Sequence, residues 1–275
     1  MTQMTPELVA YFNSTLLEGP CWSEERHELL VVSIEQSCIY LINPQSQHIQ
    51  SIPTHGPVGC AVFVEKNKIW SAEKGGIYET NLTSMERTFL VHPESRGYMR
   101  YNDGKLDPQG RFIFGSMGFN SIQPNEGKVF SFDGDSCKVI IEGTTISNGL
   151  AWNSKGDTLY FIDTPTRSVN KYNYDCASGK ATFLKTIISF DGIGLPDGMC
   201  IDQQDNLWVA EWEGGQVCKW DPNTGEKLET IKVPCNRVTS CCMAPPDRLF
   251  ITTARSDHSH NPLGGALFVQ KLNSK

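Results

Sequence analysis

The chain has 275 residues, 39% hydrophobic and 20% charged, with 24 Gly and 15 Pro, the balance of a globular protein and not of a disordered or fibrous one. A net charge of −7 argues against a nucleic-acid partner, which would call for a basic face. No stretch is apolar for long enough to span a bilayer, and residues 1–11 lack the basic and apolar regions of a secretory signal. A cytoplasmic protein without a membrane partner is therefore expected. The ten cysteines show neither a CxxC pair nor the His spacing of a zinc site. Several occupy apolar strand positions, so they read as small, buried, free thiols.

Along the chain, one short apolar run recurs six times, at 28–33, 68–73, 111–116, 158–163, 206–211 and 248–253. Aligned on Leu29, Ile69, Phe112, Leu159, Leu207 and Leu249, the runs repeat every 40 to 48 residues. Each is rich in β-branched and aromatic residues and flanked by turn residues, as buried strands are. A second strand-like element, usually opened by glycine, follows each run, and helical periodicity is nearly absent. Such a period with several short strands per unit predicts an all-β, six-bladed β-propeller occupying residues 1–275 as one domain. The sixth repeat runs out of chain after 265–271. The spare apolar segment at 7–12 is predicted to supply its missing outer strand and so close the ring.

A further strand precedes each recurrent run, and its leading residues are Glu18, Gly59, Asn102, Asn148, Asp197 and Thr239. In a propeller these strands lie nearest the axis, so their first residues converge on one mouth of the channel. Taken singly, Asn-Gly, Asn-Asp-Gly and Pro-Asp-Gly are ordinary turn signals. Two carboxylates and two carboxamides at one repeat position point instead to a metal or a polar ligand. An all-oxygen donor set suits Ca²⁺, with Mg²⁺ and Mn²⁺ open on the same grounds. Arg100, two residues before Asn102, could reach over the mouth as a donor. Glu73, Asp163, Glu211 and Glu213 receive no role, and His258 and His260 read as part of a surface loop.

These ordered motifs, Glu18-Gly-Pro with Trp22, Arg100-Tyr-Asn-Asp-Gly-Lys105, Asp107-Pro-Gln-Gly110, Gly115-Ser-Met117, Ser147-Asn-Gly-Leu-Ala-Trp152, Tyr160-Phe-Ile-Asp163 and Pro196-Asp-Gly198, resemble the SMP-30/gluconolactonase/luciferin-regenerating-enzyme-like family. The resemblance implies a six-bladed propeller with one divalent metal on its axis, Ca²⁺ first and Zn²⁺, Mn²⁺ or Mg²⁺ as alternatives. It places the metal ligands on Glu18, Asn148 and Asp197 and the substrate contacts on Arg100 and Asn102. Asn120 stands where regucalcin-like members carry an acidic residue that helps hold the sugar, and is the third substrate-contact candidate. The implied activity is hydrolysis of a small-molecule lactone of the aldonolactone type, with the metal as Lewis acid and Asp197 as general base. A calcium-dependent phosphotriesterase-like hydrolase on the same site and a non-catalytic calcium-binding propeller are the alternatives. A monomer is expected, with a dimer left open.

Overall fold

A computed structural model describes residues 5–256 and 263–272; His258 and His260 lie outside the described residues. The six recurrent runs become strands Glu28–Ser33, Lys68–Glu73, Phe112–Gly118, Thr158–Asp163, Leu207–Trp212 and Arg248–Thr253. Each is the second strand of a four-stranded antiparallel sheet. The innermost strands are Leu17–Ser23, Val58–Glu65, Met99–Leu106, Ser147–Trp152, Leu195–Ile201 and Val238–Ala244, which open blades 1 to 6 in turn. The arrangement is a six-bladed β-propeller.

Hydrophobic burial joins the blades. Six apolar clusters fill the six spaces between neighbouring sheets, such as Leu30, Val32 and Ile39 of blade 1 against Ala61 and Ile69 of blade 2. Leu17 and Leu29 of blade 1 pack in the same way on Phe250 and Leu267 of blade 6. At roughly 1.5–3 kcal/mol for each large apolar side chain buried, these clusters hold neighbouring sheets together, alongside hydrogen bonds between blades such as Arg26 to the Lys66 carbonyl and Arg111 to the Cys176 carbonyl. The second strands are buried on both faces, with Leu29 to Ser33 and Thr158 to Asp163 all buried, which explains their continuous apolar runs.

Blade 6 closes as the spare N-terminal segment predicted. Strand Glu7–Tyr11 pairs antiparallel with Ala266–Lys271, Leu8 opposite Phe268 and Tyr11 opposite Ala266. Val9 and Phe12 lean on the cluster between blades 6 and 1, and the Phe12 ring lies 4.5 Å from that of Tyr40. The segment thus covers the open edge of blade 6 and packs against its neighbour. All ten cysteines are free, but only Cys60, Cys200, Cys218, Cys235 and Cys241 are buried; Cys38 and Cys137 open strands and Cys176 lies in a turn, whereas Cys21 and Cys242 are half-buried within innermost strands.

Deletion of residues 1–13 should lower the melting temperature sharply, because it exposes an edge strand and removes apolar contacts at the ring closure. A shift below about 3 °C, which is on the order of 1 kcal/mol at this size, would show that the segment does not close the ring.

Candidate functional site

Each innermost strand carries a β-bulge at or just after the residue that repeat alignment singles out. The ladder slips between Glu18 and Cys21, Val58 and Cys60, Tyr101 and Gly104, Ser147 and Leu150, Pro196 and Met199, and Val238 and Ser240. A bulge re-aims a side chain without ending the strand, and six bulges at one level aim six positions at the axis. The Asn-Gly and Asp-Gly pairs are therefore not turns here. Asn148-Gly149 and Asp197-Gly198 lie within strands Ser147–Trp152 and Leu195–Ile201. Their glycines answer to crowding, since a Cβ on Gly198 would collide with Ser240 Oγ. At Gly59 a Cβ would come within 2.5 Å of the Tyr101 carbonyl, so blade 2 contributes no side chain to the ring.

The remaining ring residues are buried and linked across blades. Glu18, Asn102, Asn148 and Asp197 are each only 5–6% exposed. Asn102 Nδ2 donates to Asn148 Oδ1 at 2.8 Å and to the Ser147 carbonyl at 2.9 Å. Asn148 Nδ2 donates to Thr164 Oγ1 at 2.8 Å, and that hydroxyl donates to the Pro196 carbonyl at 2.8 Å, beside Asp197. Thr239 Oγ1 donates to the Leu17 carbonyl at 2.6 Å, beside Glu18. Arg100 Nη1 bridges the Tyr101 carbonyl and Asn102 Oδ1, both at 2.8 Å.

Electrostatics tie the acidic members together. Burial, with the neighbouring Asp103 carboxylate, pushes the Glu18 carboxyl up to about 8, against the pull of the Gly19 amide and Arg100. Burial also raises Asp197 well above the ordinary carboxylate range, helped by the charges of Glu18 and Asp103 and opposed by Arg100. The Arg100 guanidinium is drawn down to about 10 by burial, although Glu18, Glu35 and Asp197 oppose that shift. Burial is the larger cause for both carboxyls and the neighbouring negative charges the smaller; a cation placed among them would oppose both shifts.

The donor set fits a hard divalent cation: two carboxylates and the Asn148 carboxamide oxygen, buried at one level and free of sulfur and imidazole. Among the described residues no group of three or more His, Cys, Asp or Glu side chains is gathered as a metal-ligand set, so any such site depends on the carboxamide. Asn120 is placed differently from the rest. It is exposed in the loop after strand Phe112–Gly118, and no hydrogen bond joins it to the ring. The neighbouring Phe119 ring instead lies under Lys74 Nζ, 4.4 Å away.

Repeat alignment missed Asp103, Thr164 and Lys105. One position per blade cannot show that the bulge in blade 3 brings Asp103 to the buried interior beside Asn102. The available signal was four polar or glycine residues in a row, Asn102 to Lys105, in a strand whose central residues are buried.

The profile of the family described as SMP-30/Gluconolactonase/LRE-like region matches residues 16–255. The chain belongs to this family. Regucalcin from Xenopus laevis is 34% identical over 265 residues, covering 92% of this chain and 88% of that protein. A luciferin-regenerating enzyme structure superposes with a TM-score of 0.89 at 25% identity, over 96% of this chain and 94% of its own. Regucalcin from Agrobacterium tumefaciens, described as a calcium-binding protein, superposes with a TM-score of 0.91 over 97% of this chain and 93% of its own; at 22% identity it bears on the fold. Membership of this family of gluconolactonases and regucalcins supports a lactonase-type function.

The raised carboxyls fix a pH dependence. They hold protons in the folded chain at a pH where the unfolded chain has lost them, so the metal-free fold loses stability as pH rises from the ordinary carboxylate range toward 8. The chelated protein should melt at progressively lower temperature between pH 5 and 8. Glu18→Gln should flatten that fall; a melting temperature that rises with pH over this range would contradict the assignment.

Proposed function

We propose that this chain is a divalent-metal-dependent lactonase that hydrolyses a sugar lactone of the aldonolactone type. The observation that carries the reading is the convergence of Glu18, Asn102, Asn148 and Asp197 at one buried level of the channel, with Arg100 over them. An interaction scaffold has no use for polar side chains there, where each costs desolvation. Glu18, Asn148 and Asp197 would hold the cation, and the oxygen donors put Ca²⁺ first. When bound, the cation supplies Lewis acidity toward the lactone carbonyl.

The chain's own residues do the rest. Asp197 takes a proton from the attacking water as general base. Water adds to the carbonyl carbon, the ring C–O bond breaks, and the departing ring oxygen takes up the proton, leaving a hydroxy acid. Thr164 holds the backbone beside Asp197 through the Pro196 carbonyl and orients Asn148 with the same hydroxyl. Arg100 uses one nitrogen, Nη1, within the protein. The rest of its fork is available to substrate hydroxyls and to the carboxylate that hydrolysis creates. Asn102, fixed by three hydrogen bonds, presents a rigid polar edge beside it. Asn120 is the loop residue through which this chain would differ from acidic-loop relatives in the sugar it accepts.

Asp197→Asn keeps an oxygen donor for the cation and removes the base. It should lower kcat on glucono-, galactono- or arabinonolactone by about 100-fold or more with metal still bound. Retention of more than about a tenth of wild-type kcat would end the assignment of Asp197 as base.

A further inference from the structure

Lys105 is the one cationic side chain among the described residues that crosses from one innermost strand to another. It leaves the strand of blade 3, and its ammonium donates to the Met199 carbonyl of blade 5 at 2.8 Å, a partner 94 residues away. Asp103, on its own strand, feels its charge. So do the thiols of Cys21 on blade 1, Cys200 on blade 5 and Cys242 on blade 6. Groups from four blades around one ammonium place it near the axis. Lys105, Cys21, Cys200 and Cys242 each stand three residues beyond the ring positions Asn102, Glu18, Asp197 and Thr239. Three residues of these bulged strands span at most about 10 Å, and the ammonium is held at Met199, two residues beyond Asp197, so it forms a second level beneath the carboxylates.

We propose that Lys105 is a positioning residue, a built-in cation under the ring that sets the net charge of the axial site and acts on the reaction through it. This inference rests on the metal reading above. Three carboxylates, Glu18, Asp103 and Asp197, face two cations, Arg100 and Lys105, leaving one net negative charge when all are ionised; Glu35, at the exposed rim, is screened by water. A divalent ion converts that balance to one net positive charge, which matches the single negative charge that develops on a lactone oxygen during hydrolysis. Without Lys105 the loaded site would be neutral, holding its ion more tightly and stabilising that developing charge less.

Opposite changes in affinity and turnover therefore mark this role, whereas a strut that merely braces Met199 would weaken both. The test is calorimetric titration of Ca²⁺ into the chelator-stripped full-length chain, paired with lactone kinetics. Lys105→Gln, which keeps a donor for the Met199 carbonyl, should tighten Ca²⁺ by about fivefold or more, as expected for unit and double charges about 10 Å apart. It should also lower kcat by about twofold, because the charge developing on the lactone oxygen is single and the energy at the same distance is half. Lys105→Arg, which keeps the charge, should hold Ca²⁺ within about twofold of wild type. A Gln variant whose Ca²⁺ affinity is unchanged or weaker overturns the proposal, as does an Arg variant that binds as tightly as Gln. So does a Gln variant that fails to fold in saturating Ca²⁺. The titration needs no lactone, so it decides this point even if the wild-type chain turns over none of the lactones tried.

Discussion

Like charges buried together without screening set the terms for the rest of this molecule. Glu18 and Asp197 come from blades 1 and 5, Asp103 from blade 3, and all three carboxylates are under a tenth exposed. At such burial their repulsion is several times stronger than in water. A fold can keep such a cluster only if protons, built-in cations or a bound ion offset it. Each of these has a counterpart here: the carboxyls are raised, Arg100 and Lys105 bring positive charge to them, and the oxygen donors would suit a hard cation. The propeller tolerates the arrangement because its stability comes from six apolar clusters between blades, away from the axis.

Much of the fold was legible in sequence because a propeller repeats one local solution. The second strand of every blade is buried on both faces, so six unrelated stretches such as 68–73 and 206–211 had to become apolar in the same way, and their spacing gave the blade count. Closure by the N-terminal strand was equally open to reading, since blade 6 lacked a fourth strand and residues 7–11 had no other partner. The cysteines were read well as to their redox state and less well as to depth. A thiol tolerates a strand end or a turn, as Cys38 and Cys176 show, and composition carries no sign of that.

The candidate site was legible only in part, for a geometric reason. Repeat equivalence identifies one residue per blade, and it found Glu18, Asn102, Asn148 and Asp197. It read them as leading residues of strands but could not see the bulges beside them. Nor could it see Thr164, whose hydroxyl joins Asn148 to the backbone beside Asp197 from the short helical turn Thr164–Thr166. Arg100 lies at the ring, whereas Asn120 belongs to an exposed loop whose neighbour Phe119 is held by Lys74. Loops at a channel mouth answer to ligands as much as to the fold, so repeat logic is weakest there.

Dependence of catalysis on an ion held by the axial carboxylates is the central claim. It is tested most directly by stripping the full-length chain with chelator, reloading it separately with Ca²⁺, Mg²⁺, Mn²⁺ or Zn²⁺, and assaying each form on a panel of aldonolactones. The account predicts that the stripped chain loses nearly all hydrolysis and that reloading, with Ca²⁺ foremost, restores it. Hydrolysis that survives complete metal removal would contradict it.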